Sequence, residues 1–283
     1  HSFPCDIEVP ERGSSSEHHG GNPHVAEDGT IWVGIGDYGS SKLAALQQWN
    51  GGKIFRITPD GQVTQFAIGL RNPFDLFWDA RNQRLVVADN GPLAGDEIHI
   101  VEQEGANLGW PITWGFEQQT PDTSKPDYVF PTTVAPTGMT QLREGGFLLG
   151  TFVTRAIYYF PDIDTLPLRE PVAVIERETA SVIDVVQDAG GKIFFATGNA
   201  IYRLIWPSRG DCNGDGVTDL LDIEALAKEL ADGEGQPATD AHKGDFPGSL
   251  GCDVNGDGLI SQADMTELVR TLSWRRRAAR PGR

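Results

Sequence analysis

The sequence predicts an all-β domain followed by a small α-helical module, and three observations carry that reading. Between Pro23 and Trp206 the chain runs in short apolar segments of period-2 character, punctuated by Asp, Gly, Asn and Pro, with no long segment of helical period. Similar segments recur: AEDGTIWVGIGD, WDARNQRLVVADNG and QDAGGKIFFATGN each place a turn before four or five β-formers. At Pro207 the character changes to two loops rich in Asp and Asn, each followed by a helical pattern.

The turn acids of the three recurring segments are Asp28, Asp79 and Asp188, so the intervals are 51 (79 minus 28) and 109 (188 minus 79) residues, and a weaker copy, LREGGFLLGTF, lies in the longer one. A repeat near 50 residues with several strands per unit is the mark of a β-propeller, since each unit buries its faces only against its neighbours. The alternative on the same residues is a sandwich whose turns coincide. Further strand pairs lie between the copies; in GKIFRITPDGQVTQF the hairpin turn is Pro59-Asp60-Gly61. About 185 residues at about 50 per blade make about four blades.

The chain has 283 residues, enough for one large domain and a small one. The expected divisions are 1–206, 207–274 and a basic tail, 275–283. A net charge of -17 excludes a nucleic-acid-binding surface of the ordinary kind, which needs clustered Lys and Arg. The tail RRRAARPGR is the basic cluster, a solvated end or a surface tether. No apolar run reaches the 18 residues of a membrane span. Beginning at His1 with no charged and apolar leader, the chain is expected to be a processed form or a fragment. Three cysteines are too few for a disulfide scaffold, but Cys212 and Cys252 fall beside the two similar loops, where one bridge could form in an oxidising compartment.

Those loops read DCNGDGVTDLLD over 211–222 and DVNGDGLISQAD over 253–264. Each offers oxygen ligands at positions 1, 3, 5 and 9 and an acid at 12, with Gly at 6 for the sharp turn, the spacing of a calcium loop. The first set is Asp211, Asn213, Asp215, Asp219 and Asp222 with the Val217 carbonyl. The second is Asp253, Asn255, Asp257, Ser261 and Asp264 with the Leu259 carbonyl. Position 12 is Asp where an ordinary EF-hand has Glu, and no helical pattern precedes either loop. The duplicated loop and helix resembles a type I dockerin, which implies bound calcium and a cohesin-like partner outside the cytoplasm. Positions 10 and 11, where dockerins often carry small hydroxylated residues toward cohesin, hold Leu220, Leu221, Gln262 and Ala263, and ADGEGQPATDAHKGDFPGSLG lengthens the spacing between the loops.

In the β region, EHHGGNPHVAEDGTIWVGIGD is followed by GLRNPFDLFWD, ADNGPLAGDEIHIV and GANLGWP. The order H-x-G-G, I-G-D, G-x-R-N-P, N-G-P with D-E-I, then N-x-G-W-P resembles the glucose/sorbosone dehydrogenase family, densely from His18 to Pro111. The resemblance implies a six-bladed propeller, here incomplete at its N-terminal side, with pyrroloquinoline quinone (PQQ) and a calcium ion across the mouth of the ring.

By the same resemblance His18 takes the proton from the sugar C1 hydroxyl, a role suited to a side chain that titrates near neutrality. The double glycine lets the backbone pass under a flat cofactor, and Asp37 orients the histidine. His19 is a bystander. Arg71 stabilises the anionic quinone oxygen, Asn72 and Asn90 lie on the cofactor, and the carbonyls of Gly91 and Pro92 hold its calcium. The family's lysine and arginine pair, which clamp the PQQ carboxylates, find Val153, Ser181 and Ile183 at their places, with Arg155 nearby.

The function implied is oxidation of an aldose at C1 to a lactone, with PQQ and calcium as cofactors. The alternative is a non-catalytic propeller that binds carbohydrate or protein. A third is the same hydride chemistry with a differently held cofactor.

Overall fold

The computed structural model describes residues 17–115, 120–143, 145–176, 179–232, 236–237, 251–255 and 259–278. Asp257, most of the segment between the two loops and the end of the basic tail lie outside them. The chain divides into two compact units, one of residues 1–187 with 195–202 and one of 188–194 with 203–283.

The first unit is built from antiparallel sheets in chain order. β1 (His24–Val25), β2 (Ile31–Ile35), β3 (Lys53–Ile57) and β4 (Val63–Ile68) form the first, extended by β8 (Ala106–Asn107), which lies parallel to β4. α1 (Ser41–Ala44) is a single turn between β2 and β3. β5 (Pro73–Asp79), β6 (Arg84–Asp89), β7 (Glu97–Val101) and β9 (Tyr128–Val129) form the second, and β10 (Pro136–Gln141), β11 (Phe147–Thr151), β12 (Ile157–Phe160) and β13 (Val172–Ile175) the third. β14 (Val182–Gln187), β15 (Ile193–Thr197) and β16 (Ile201–Leu204) make a three-stranded sheet. Neighbouring sheets meet along their first strands, β10 against β5 and β14 against β10, while β5 lies against both β1 and β2. The described sheets therefore follow one another in series, and no closed ring is formed among them.

Alternation along β6 shows how the sheets stack. All six of its residues are buried. Leu85 and Val87 join a core with Trp32, Ile54, Phe66 and Leu70 of the first sheet region, while Val86 and Ala88 join Met139, Phe147, Leu149 and Phe160 of the third. Successive side chains of a strand point to opposite faces, so a run such as LVVA with both faces apolar belongs to a sheet covered on both sides. β14 instead buries Val182 and Val185 and leaves Ile183 and Val186 exposed.

Buried carboxylates tie neighbouring sheets together. Asp75 of β5 accepts the Met139 N–H of β10 at 2.6 Å, at the bulge between Pro136 and Met139. Asp96 accepts the N–H groups of Val134 and Ala135 at 2.7 and 2.8 Å. At the opposite ends of the strands, Arg84 bonds Asp79 and the carbonyl of Ile163.

The second unit holds α2 (Leu221–Asp232), β17 (Gln236–Pro237), β18 (Leu259–Ile260) and α3 (Gln262–Ala278). β17 and β18 pair antiparallel. The helices present equivalent apolar stripes, Ile223, Leu226 and Leu230 on α2 and Met265, Leu268 and Leu272 on α3, into one core with Cys212, Cys252, Val254 and Ile260. Cys212 and Cys252 are joined in a disulfide across 40 residues, a closure that restricts the unfolded chain by about 4 kcal/mol.

Burial pushes the Asp75 carboxyl up to about 7, with the Asp184 charge adding to the shift and the Met139 and Leu76 amides opposing it. The folded state thus holds a proton that the unfolded chain releases near pH 4, and this stability, present below pH 4, is lost as pH rises through about 7. Asp75→Asn should remove that dependence. In thermal melts between pH 4 and 7.5 the variant should gain on the wild type by about 2–4 kcal/mol; a constant difference would show that Asp75 is ionised throughout.

Candidate functional site

β2 runs into Gly36-Asp37, and the turn before β5 carries Arg71-Asn72, so both segments emerge at the same end of adjacent sheets. The backbone joins them there: the Asp37 N–H donates to the Arg71 carbonyl at 2.8 Å, and the Asn90 N–H to the Asn72 carbonyl at 3.2 Å. Residues 18–22 lie across this junction. Gly21 donates to the Gly34 carbonyl and Asn22 to that of Phe74. A Cβ on Gly21 would overlap the Phe74 carbonyl, and one on Gly36 the His18 carbonyl. The glycines therefore answer to close backbone crossings, a reason the motif alone does not reveal. His18 adopts φ 57°, a left-handed conformation that costs an ordinary side chain about 1–3 kcal/mol.

His18 Nδ1 lies 2.7 Å from Asp37 Oδ1. The same oxygen accepts the Gly39 N–H at 2.8 Å, and Oδ2 accepts the indole N–H of Trp110 at 2.9 Å. Burial alone would raise the Asp37 pKa, but the bonds from His18, Gly39 and Trp110, with the histidine's charge, outweigh it and hold the carboxyl below its usual range. An ionised Asp37 takes the proton of Nδ1 as its donor, which leaves Nε2 of His18 as the basic nitrogen. The His18 side chain is 13% exposed and that of Asp37 2%. His19 is exposed and its ring lies 5.1 Å from that of Tyr38.

Arg71 donates from one terminal nitrogen to the carbonyls of Asn90 and Gly91, both at 2.9 Å, and its guanidinium carbon lies 5.8 Å from the centre of the Trp110 ring. Asp89, fully buried, accepts the N–H groups of Arg71 at 2.9 Å and Asn72 at 2.6 Å. Burial and the nearby Glu97 charge push its carboxyl up to about 7. Gly91 donates to Asp96 Oδ1 at 2.9 Å, and Asn90 Nδ2 reaches the Pro136 carbonyl at 3.2 Å. Asn90 Oδ1 is buried with no hydrogen-bond partner among the described residues. Pro92 follows at the half-exposed rim, beside the exposed Leu93.

The structure thus brings His18, Asp37, Arg71, Asn72, Asn90 and Gly91 to one end of the first two sheets. Three supports were not singled out from sequence. Trp110, Asp89 and Lys53 could have been flagged only weakly: the first by its place in GWP, the second by its position before Asn90, the third as a lysine within the apolar KIFRI. Lys53, opposite Ile35 in the register, is fully buried and donates to the carbonyls of Ala44 at 2.5 Å and Gly51 at 2.9 Å. Burial pulls its pKa down to about 8.

In the second unit the loops repeat one hydrogen-bond plan. Asp222 accepts from Asn213 N–H at 3.1 Å and Asp219 N–H at 2.7 Å; Asp264 accepts from Asn255 N–H at 3.0 Å and Ser261 N–H at 2.9 Å. Gly216, at position 6, has φ 86° and donates to Asp211 Oδ2 at 2.9 Å. Asp211 Oδ1 is buried without a partner among the described residues. Burial raises the Asp211 pKa, and repulsion from Asp222 and Asp215 adds to it. No three acids, histidines or cysteines among the described residues are already drawn into a metal cage.

A model described as glucose / sorbosone dehydrogenase matches residues 8–206, and one described as dockerin type I domain matches residues 209–273. An uncharacterised protein of Synechocystis is 28% identical over 237 residues, covering 68% of this chain and 56% of that protein. Quinoprotein glucose dehydrogenase B of Acinetobacter calcoaceticus is 28% identical over 138 residues, 38% of this chain and 28% of its own length. The PQQ-bound form of an aldose sugar dehydrogenase from Streptomyces coelicolor superposes with a TM-score of 0.60 at 28% identity, over 68% of this chain and 58% of that one. The chain spans about half or less of the length of these curated relatives. With the family model covering well over half of the sequence, the chain belongs to the glucose/sorbosone dehydrogenase family and carries a dockerin type I segment after it.

Proposed function

We propose that this chain is the site-bearing part of a sugar dehydrogenase that oxidises an aldose at C1 to a lactone, in a propeller of the six-bladed type. The observation that carries the reading is the His18–Asp37 pair, with Nδ1 committed to the carboxylate and Nε2 left to take a proton. His18 would accept the C1 hydroxyl proton at Nε2 as the hydride leaves the same carbon. Asp37 orients the ring and balances the charge it gains. Arg71, held on two carbonyls, keeps a positive charge where a reduced acceptor would become anionic.

At the corner of Asn90 and Gly91 the two backbone carbonyls already accept from the Arg71 guanidinium, so the oxygen left to a hard cation such as calcium is the buried, unpartnered Asn90 Oδ1. Asn72, Asn90, Gly91 and Pro92 would line the PQQ side, and PQQ when bound would supply the electron sink. Arg71 is then its cationic partner, while Val153 and Ile183 stand exposed where the resemblance implies charged clamps. That replacement favours a second reading, a propeller that binds carbohydrate or protein without turnover.

The second unit supplies a calcium-dependent anchor for a cohesin-like partner. The orphaned Asp211 oxygen, the repelling carboxylates and the repeated plan of the two loops fit a metal that the acids would share. Leu220 and Leu221, 53% and 59% exposed, give this anchor an apolar contact face. Dockerin segments belong on exported proteins, a disulfide suits that setting, and no helix is long and apolar enough to cross a membrane among the described residues.

Spectroscopic titration of PQQ into calcium-loaded protein, followed by aldoses, should give binding and then reduction of the quinone. His18→Ala should keep binding and cut reduction by at least 100-fold. Absence of binding would favour the second reading. In calorimetry, calcium at about 100 times its Kd should stabilise the second unit by about 2.7 kcal/mol for each loop it fills. Chelation or the double variant Asp211→Asn, Asp264→Asn should abolish that gain, and a melt indifferent to calcium would sink the anchor's metal dependence.

A further inference from the structure

Trp110 meets both halves of the site. Its indole N–H reaches Asp37 Oδ2 at 2.9 Å, on the side of the carboxylate away from His18, while its ring face lies under Arg71 at 5.8 Å. The side chain is held from several directions. The backbone N–H of Trp110 donates to the Gly69 carbonyl at 3.0 Å, two residues before Arg71, and that of Leu108 to the Ile68 carbonyl at 2.9 Å. β8 continues the first sheet beside β4 and delivers the loop to this place, with Ile68 opposite Asn107. Trp114 packs edge-on against the indole at 5.4 Å. A tryptophan wanted only for packing would not need its one polar atom on a buried acid, because a phenyl ring fills such a gap without a donor to satisfy.

We propose that Trp110 is a positioning residue for the dehydrogenase chemistry, fixing the Asp37 carboxylate through its N–H and the Arg71 guanidinium through its ring. The role rests on the reading of the site given above. One rigid side chain thereby sets the distance between the base on one segment and the cation on another. Without the indole bond, Oδ2 would lose the donor on its buried side, and the carboxylate could rotate away from Nδ1. Without the ring, the guanidinium would keep its carbonyl partners on one edge and lose its support on the face.

Trp110→Phe separates the two contributions, since it keeps a ring under Arg71 and deletes the N–H. Carboxyl-carbon NMR should show the Asp37 pKa raised by roughly half to one unit, while the guanidinium resonances of Arg71 keep their ring-current shift. Trp110→Leu should abolish that shift as well. In aldose oxidation by calcium-loaded and PQQ-loaded protein, Trp110→Phe should lower kcat by roughly 3–10-fold with KM unchanged within about twofold. An unchanged Asp37 titration in Trp110→Phe overturns the proposal.

Should that variant fail to fold, the indole N–H resonance of Trp110 in the wild type and in Asp37→Asn reads the same bond from its other end. It should move upfield in Asp37→Asn, and a stationary signal overturns the proposal too. Spectroscopic changes as expected in a protein that oxidises no aldose would support the positioning by Trp110 while removing the dehydrogenase reading, so the two fail separately.

Discussion

Buried carboxylates that accept backbone N–H groups from a neighbouring segment are the constraint on which the β unit depends. Asp75 holds β10 to β5, Asp96 holds the 134–135 segment to the loop after β6, and Asp89 holds the Arg71-Asn72 turn to the end of β6. A strand's ladder satisfies its own sheet but leaves backbone donors orphaned where one sheet gives way to the next. An unsatisfied buried donor there costs about 1–3 kcal/mol. A short acid fixed on a regular strand supplies two acceptors at a defined place, so it satisfies the donors and sets the spacing between sheets together. The cost appears as carboxyls pushed toward neutrality, at Asp75 and Asp89.

The site inherits its geometry from these junctions. Arg71 faces the Asn90 and Gly91 carbonyls because Asp89 pins its backbone and Asp96 pins Gly91. Asp37 departs from the pattern of raised carboxyls. It is as buried as the others, but its partners include a histidine and an indole N–H, and its pKa is lowered. Two acids on adjacent strand ends therefore hold opposite preferences for a proton, Asp89 for keeping one and Asp37 for losing it. That contrast arises from the surroundings, since the residue type is the same: the Glu97 charge adds to burial at Asp89, whereas His18, Gly39 and Trp110 outweigh burial at Asp37. Lys53 plays a parallel part, spending an ammonium group on two carbonyls of the 41–52 segment behind Asp37.

In the second unit the same device works at smaller scale. Asp222 and Asp264 each accept two amides of their own loop, which shapes the loop around a place where other carboxylates crowd. The amphipathic stripes of α2 and α3 then close over the disulfide and bury the loops' inner side. A core of so few apolar side chains is supported by a covalent link, as small domains commonly require.

The sequence by itself determined the order of strands, the repeating units, the two Asp-rich loops and the family. Each of these is written in local period, turn chemistry and motif spacing, which need no distant partner to be read. His18, Asp37 and Arg71 were legible as candidates because they stand in dense motifs. The reason for Gly21 and Gly36 was not, since it lies in backbone crossings with Phe74 and His18. Trp110, 73 residues from Asp37, became a partner of that acid only when β8 aligned beside β4. Which carboxyls keep a proton was likewise decided by the tertiary structure, because burial and donors from other sheets set the pKa, and neither is a property of the residue or of its neighbours in the chain.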